Sequence, residues 1–355
     1  MRIAFVSLET VHHRDTETNR RLQSTLELLG DAGHDVHLFC ARFWDGDSPT
    51  LERDDDDVTY RAVTDDPDAR RSFCLRLPFD LGAAGPDIVH ATARPPTALL
   101  AAGCGARLAR APLVAEWYGD GGVDDDWWTR RATGRADRIV APSELVATWV
   151  RERGADGDRV ETVPNPIDLE RVRDVTPDDR VDVVYARRLD EGANLESLLL
   201  GLAELRGRDW TATVIGDGPE REAYERLARD LRIEDRLSFV GDCSLEERIA
   251  AYRGAHVFAQ TAEHCVFPTE MLWALAAGCV GIVEYHVDSS AHELVEGWER
   301  GFRTTSEDEL ADAILSAGDL EHRTFDDRFA DYDRSAVAER YLEQYRTLRE
   351  EYGLL

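Results

Sequence analysis

Short apolar runs alternate with helix-sized stretches along the whole chain. The first run, Arg2-Ile-Ala-Phe-Val-Ser7, has no polar position between its apolar ones, which predicts a strand buried on both faces. From about Glu17 to Gly30 the residues Leu22, Leu26, Leu28 and Leu29 make an apolar helical face, and Gly33-His-Asp-Val-His-Leu-Phe39 predicts a second strand. Strand-like runs recur at Asp87-Ile-Val-His90, Pro112-Leu-Val-Ala-Glu116 and Arg138-Ile-Val-Ala-Pro142, each separated by room for a helix. Such alternation predicts a parallel sheet.

At Val163-Pro-Asn-Pro-Ile-Asp168 two closely spaced prolines forbid continued regular structure, so a linker is expected there. Beyond it the alternation restarts with a strand at Arg180 to Tyr185 and a helix from Asn194 to Leu205. Strands at Thr211 to Gly216, Leu237 to Val240, His256 to Gln260 and Val280 to Val283 follow, with helices at Glu220 to Leu231, Leu245 to Arg253 and Pro268 to Gly278 between them. The expected organisation is α/β, with two Rossmann-like doubly wound domains over residues 1–164 and 165–335. Ligands of such sheets bind at the carboxyl ends of the strands. In the tail, 336–355, Val337, Tyr341, Leu342 and Tyr345 fall at helical spacing. That helix either ends the second domain or crosses back onto the first.

Composition narrows the class. The 355 residues include 42 basic and 71 acidic side chains, a net charge of −29, and every basic residue other than histidine is arginine. Aspartate runs at 54–57 and 124–126 read as solvated surface. This acidic, lysine-free balance resembles that of cytosolic proteins of halophilic archaea, and its sign argues against nucleic acid as a partner. The six cysteines are scattered with no Cys-x-x-Cys pair, so neither a disulfide framework nor a zinc site is expected. No apolar run approaches the ~18 residues of a membrane span, and no signal-peptide pattern is present. A cytoplasmic protein is expected.

The loop after the first strand holds no glycine before Gly30, which excludes the Gly-x-Gly-x-x-Gly cradle of nicotinamide enzymes. The informative glycines lie in the second half, in Gly216-Asp-Gly-Pro-Glu220. There a strand ends in two glycines, and Pro219 suits the first position of a helix whose free amides favour an anion.

Together the motifs resemble the retaining GT-B glycosyltransferases of the group 1 and family 4 type. In the second half these are Pro164-Asn-Pro-Ile-Asp168, Arg188-Leu189, Gly216-Asp-Gly-Pro-Glu220, Leu237-Ser-Phe-Val-Gly241 and Phe267 through Gly278. In the first half they are Gly33-His-Asp-Val36, Pro86-Asp-Ile-Val-His90 and Ala141-Pro-Ser143. The resemblance implies a GT-B fold, a nucleotide-sugar donor held by the second domain and a glycan or lipid-linked acceptor held by the first. No metal and no cofactor is expected, and peripheral membrane association is compatible with a lipid-linked acceptor.

The resemblance also assigns residues. Arg188 stands where the family neutralises the diphosphate, and Ala193 where it places a partner lysine. Glu263 and Glu270 are one residue too close for the family's glutamate pair; anchoring on Gly278 puts that pair at Cys265 and Trp273. Glu270 lies one helical turn before Trp273 and is the carboxylate within reach of a ribose. Trp273 is either core or an apolar wall beside the nucleoside. The remaining donor-side candidates are Gly216, Gly218, Pro219, Glu220, Phe239, Phe267, Pro268, Thr269 and Glu293, the last at the family's sugar-facing glutamate. Tyr118 falls where the family places a histidine facing the sugar. Thr16, Asn19, Arg20, Glu116 and Asp120 form the acceptor-side set. An alternative is a GT-B scaffold acting as a sugar-binding or partner-binding subunit.

Overall fold

The structure, a computed structural model, describes residues 1–46, 48–53, 56–119 and 127–354. Asp120 and the aspartates at 54–55 and 124–126 lie outside them. The chain divides into two compact units, Met1–Pro166 with Arg334–Leu355, and Ile167–Asp333.

The first unit is built on β1 (Arg2–Val6), β2 (Asp35–Ala41), β3 (Thr50–Arg53), β4 (Asp56–Thr64), β5 (Ile88–Thr92), β6 (Leu113–Glu116), β7 (Arg138–Ala141) and β8 (Val160–Thr162). Their order is β3-β4-β2-β1-β5-β6-β7-β8. Every pairing is parallel except β3 on β4. Its helices are α1 (Glu17–Asp31), α2 (Arg70–Ala84), α3 (Pro96–Ala109), α4 (Trp127–Thr133) and α5 (Glu144–Glu152). The central strands are apolar throughout because helices cover both faces; all five residues of β5 are buried. Two expectations shift. β2 begins at Asp35, since Gly33 and His34 still donate to the carbonyls of Gly30 and Leu29 at the end of α1. The hairpin of β3 and β4 was not foreseen. In the Ala-Pro-Ser143 motif the serine is a helix cap, its hydroxyl accepting from the Val146 amide, which satisfies a donor otherwise left open.

The second unit carries β9 (Val181–Ala186), β10 (Ala212–Ile215), β11 (Leu237–Gly241), β12 (Ala255–Gln260), β14 (Val280–Glu284) and β16 (Gly301–Thr304), in the order β11-β10-β9-β12-β14-β16. A small parallel pair, β13 (His264–Cys265) and β15 (Asp288–Ser289), stands apart from them. The helices are α6 (Leu169–Asp174), α7 (Leu195–Glu204), α8 (Arg221–Asp230), α9 (Leu245–Gly254), α10 (Thr269–Ala276) and α11 (Glu307–Ala317). The final helix, α12 (Arg334–Glu351), belongs to the first unit. There Val337, Tyr341, Leu342, Tyr345 and Leu348 join Ile3, Phe5, Leu22 and Leu26 in one core.

In both sheets the first strand is central and the chain winds outward on each side, so each sheet has one point where the winding reverses. These points lie between β1 and β5 and between β9 and β12, where adjacent loops part and leave room for a ligand.

At the second, the loop after β9 runs against the turn after β10. The Leu189 amide donates to the Asp217 carbonyl, the Glu220 amide to the Leu189 carbonyl, and the Arg187 amide to the Ile215 carbonyl. This approach is so close that a Cβ on Gly216 would stand 2.1 Å from the Arg187 carbonyl oxygen, and one on Gly218 2.2 Å from that of Leu189. Gly216 also holds φ at 120°, a backbone state that side chains disfavour.

Gly216→Ala should therefore lower stability by about 2 kcal/mol or more, the range for a strained backbone plus overpacking. Gly207→Ala, with nothing within 4 Å of its added carbon, is the control and should melt as the wild type does. Chemical denaturation of the two variants at equal salt checks this.

Candidate functional site

In the second unit the candidate donor residues gather at the carboxyl ends of β9, β10, β12 and β14. Arg188 follows β9 and is exposed, whereas its neighbour Arg187 is partly buried. The Arg187 Nε is shut off from solvent and meets no acceptor among the described residues. Sequence reasoning passed over Arg187 in favour of Arg188; the doublet itself was the available signal. Beside them, Asn194 ties the two loops of the reversal point together. Its Nδ2 donates to the Thr261 carbonyl at 3.0 Å and to Glu284 Oε2 at 3.2 Å, and the Thr261 hydroxyl donates to the Asn194 carbonyl at 2.7 Å. Glu284, at the end of β14, is a further buried carboxylate on this edge.

The glycine turn differs in detail from expectation. α8 starts at Arg221, so Pro219 and Glu220 form a turn before it. The Gly218 amide donates to the Asp217 carboxylate at 2.7 Å, and the glycines are required by the neighbouring loop. Phe239 on β11 is half-buried, its carbonyl accepting from Arg221 at 3.0 Å.

On the other side, α10 places Glu270 in its first turn. Glu270 Oε2 accepts from the Tyr252 hydroxyl at 2.6 Å and pairs with Arg248 Nε at 3.1 Å. Phe267, Pro268 and Trp273 are buried and Thr269 is half-buried. Trp273 is 8% exposed and packs with Phe267, Met271 and Leu272 in the core of the unit. Glu293 lies in the short turn Ala291–Leu294. Ser290 precedes that turn without capping it; its hydroxyl donates to the Val266 carbonyl instead. Ala193, at the family's lysine position, is fully buried and its carbonyl accepts from the Tyr185 hydroxyl at 2.7 Å.

In the first unit a pocket opens at the reversal between β1 and β5, bordered by Thr18, Thr25, Thr92, Glu116 and Tyr118. Its floor is an ionic cluster. Arg21 Nε donates to Glu116 Oε1 at 2.8 Å, Nη1 to Asn165 Oδ1 at 2.5 Å, and Nη2 to the Val163 carbonyl at 2.7 Å and the Tyr341 hydroxyl at 2.8 Å. His90 Nε2 lies 2.9 Å from Glu116 Oε2 and its Nδ1 2.6 Å from the Tyr345 hydroxyl. A carboxylate only accepts, so Nε2 carries the hydrogen. The side chains of Arg21 and His90 are 2% and 1% exposed, and that of Glu116 is 10% exposed.

Burial alone would raise the Glu116 pKa, but the Arg21 guanidinium and His90 hold it below the ordinary 4.5. Burial likewise opposes the Arg21 charge, and Glu116 outweighs it, keeping the guanidinium firmly protonated. Of the acceptor-side candidates, Glu116 and Tyr118 border this pocket. Asn165 Nδ2 reaches the Tyr118 hydroxyl at 3.5 Å. Thr16 caps α1, and Asn19 closes the first loop by donating to the Thr10 and Arg14 carbonyls at 3.3 and 2.8 Å. Arg20 is exposed and pairs with Asp15 at 2.6 Å. Arg21, His90, Asn165, Tyr341 and Tyr345 were missed as a group.

Residues 18–171 match the Glycosyltransferase Family 4 domain and residues 167–335 the Glycosyl transferases group 1 domain. The chain is a glycosyltransferase of the GT-B fold. No curated protein matches it by sequence. Among solved structures it is similar to Anabaena HepE in complex with UDP, at 17% identity and a TM-score of 0.76, covering 98% of this chain and 100% of that one. A Rickettsia africae glycosyltransferase is 14% identical with a TM-score of 0.78, covering 98% of each chain. The lipopolysaccharide outer core galactosyltransferase WaaB is 17% identical with a TM-score of 0.75, covering 98% of this chain and 99% of that one. At such identities the likeness concerns the fold.

The ionic cluster of the glycosyltransferase yields a stability prediction. A carboxyl with a depressed folded pKa contributes stability that is present above its unfolded value, near 4.5, and is lost as pH falls below it. Glu116→Gln should cost about 3–5 kcal/mol at neutral pH, the range for a broken buried pair. The difference from wild type should hold from pH 7 down to about 5 and shrink as pH falls below about 4.5. Urea unfolding across that range measures it.

Proposed function

We propose that this glycosyltransferase moves a sugar from a nucleotide-sugar donor to a glycan or lipid-linked acceptor, with retention, in the cytoplasm and without a metal. The observation that carries the donor side is the arginine doublet after β9. A buried guanidinium N–H with no acceptor is costly, and a diphosphate between Arg187 and Arg188 satisfies it while the exposed arginine meets the outer oxygens. As the glycosidic bond lengthens, charge grows on the departing diphosphate, and fixed cations there lower the barrier. Of the amides expected beside them, those of Gly218, Glu220 and Thr269 already donate to the Asp217 carboxylate, the Leu189 carbonyl and the Phe267 carbonyl, and Pro268 has no N–H, so the arginine doublet carries the anion site. Glu220 or Glu270 meets the ribose, with Oε1 of Glu270 the oxygen left to it, since Oε2 holds Tyr252 and Arg248. Phe239 and the remaining edge of Trp273 face the base, and Glu293 faces the sugar. Tyr118, Glu116, Asp120, Thr16, Asn19 and Arg20 form the acceptor side. In retaining transfer the donor phosphate takes the acceptor proton, so no covalent nucleophile is needed. The complexes of HepE with UDP and with UDP-glucose support the donor class, and the name of WaaB supports a lipid-borne glycan as acceptor class.

A thermal-shift panel of nucleotide sugars on the folded protein tests the donor reading, and transfer or slow donor hydrolysis tests the chemistry. Arg188→Ala should weaken donor binding by about 1.5–3 kcal/mol, the range for a hydrogen bond to a charged group, or roughly ten- to a hundredfold in Kd. Arg187→Ala should do the same. Unchanged affinity in both variants moves the diphosphate elsewhere, and binding without turnover favours a sugar-binding subunit.

A further inference from the structure

Three loops of the second unit are tied into one frame at the carboxyl ends of β9, β12 and β14. The Glu263 amide donates to the Gly192 carbonyl, and the Ser290 amide to the Cys265 carbonyl at 2.8 Å. β13 and β15 pair His264 with Asp288 and Cys265 with Ser289. The stretch 285–287 is therefore held between the end of β14 and β15. From the third loop, Asn194 reaches across to β14, its Nδ2 donating to Glu284 Oε2 at 3.2 Å. Asn194 stands at φ 47°, a left-handed state that persists only where the surroundings enforce it.

Within this frame Glu284 is only half used. Its side chain is 11% exposed, and Oε1 takes no hydrogen bond among the described residues. His286 Nε2 lies 3.7 Å from Oε1, beyond hydrogen-bond reach. That nitrogen is shut off from solvent and meets no partner among the described residues. A carboxylate only accepts, and an imidazole nitrogen facing one is favoured in its N–H form. The pair thus offers one acceptor and one donor side by side, each unmet. A hydroxyl is the small group that satisfies both, donating to Oε1 and accepting from Nε2 at about 2.8 Å from each.

We infer that Glu284 and His286 grip one hydroxyl of the donor's sugar and so determine which sugar the enzyme accepts. Asn194 is the positioning residue: it occupies Oε2 and leaves Oε1 for the ligand. It also belongs to the loop that starts with the arginine doublet, so the pair and the arginines stand at the same strand ends. Neither Glu284 nor His286 lies in the motifs that assigned the donor side, and neither Cys265 nor Trp273 brings a carboxylate there. A sugar lacking the gripped hydroxyl leaves a buried acceptor and donor unpaired, which discriminates more strongly than a difference in apolar fit. The inference rests on the donor reading above.

Calorimetric titration tests it with three pairs: UDP and UDP-glucose, GDP and GDP-mannose, dTDP and dTDP-glucose. Glu284→Gln keeps the side-chain shape and removes the charged acceptor; His286→Ala removes the donor. Glu284→Gln should weaken the nucleotide sugar that the wild type binds about tenfold or more, and His286→Ala several-fold, while the matching diphosphate stays within about twofold. Among deoxy analogues of that sugar, one should bind the wild type weakly and bind Glu284→Gln equally, because the hydroxyl and the carboxylate act as one contact. Variants that bind the nucleotide sugar as wild type does overturn the inference and leave the donor reading standing. Equal loss of the sugar nucleotide and its diphosphate overturns it in favour of a brace between the loops, and the lack of any such analogue overturns it in favour of a bound water. A wild-type protein that binds none of the three pairs overturns the donor reading and the inference with it.

Discussion

A single buried guanidinium, that of Arg21, holds together the part of the first unit on which its pocket depends. From α1 it reaches the end of β6 through Glu116, the segment leaving the unit through Val163 and Asn165, and the last helix through Tyr341. A charge taken out of water survives only where hydrogen bonds replace its hydration. Arg21 therefore dictates where each of these stretches lies. α12 is fixed twice, by its apolar stripe and by two tyrosine hydroxyls that complete the cluster through Arg21 and His90. The residues bordering the pocket inherit their positions from this arrangement, which makes Glu116 structural and pocket-facing at once.

In the second unit the corresponding constraint is backbone against backbone. Gly216 and Gly218 let the Arg187–Leu189 loop lie against the turn after β10. That contact brings the arginine doublet to the strand ends. The glycines thus act on the proposed anion site through the loop they admit.

The fold class was legible because buried parallel strands are continuous apolar runs, and the chain repeats them at helix-sized intervals. What escaped was less buried or nonlocal. In β4 the run Val58-Thr59-Tyr60-Arg61-Ala62 does alternate apolar and polar, a strand signal that was passed over beside the aspartate run, and β16 is four residues long with only Thr304 buried. The ionic cluster draws on positions 21, 90, 116, 165, 341 and 345, which no periodicity connects. Nothing local separates Arg20 from Arg21 in a chain this rich in arginine. One residue of helical rotation, about 100°, sends the first to solvent and the second into the core. Glu116 could be singled out because it ends a strand, but its partners could not.

The departures from the family pattern look different once their packing is known. A lysine at 193 would have to carry its ammonium out of a fully buried position. A carboxylate at 273 would be set among Phe267, Met271 and Leu272, an apolar placement that is costly for a charge. These positions are built into the core of this chain, so under the proposed donor reading their polar work falls to residues that the core leaves accessible. For the cation that is the doublet at 187 and 188. For the acid the proposed residue is Glu270, a turn earlier, whose Oε2 is held by Tyr252 and Arg248. The same helix that lost its expected carboxylate thus keeps one at its amino-terminal turn, where the helix dipole favours a negative charge.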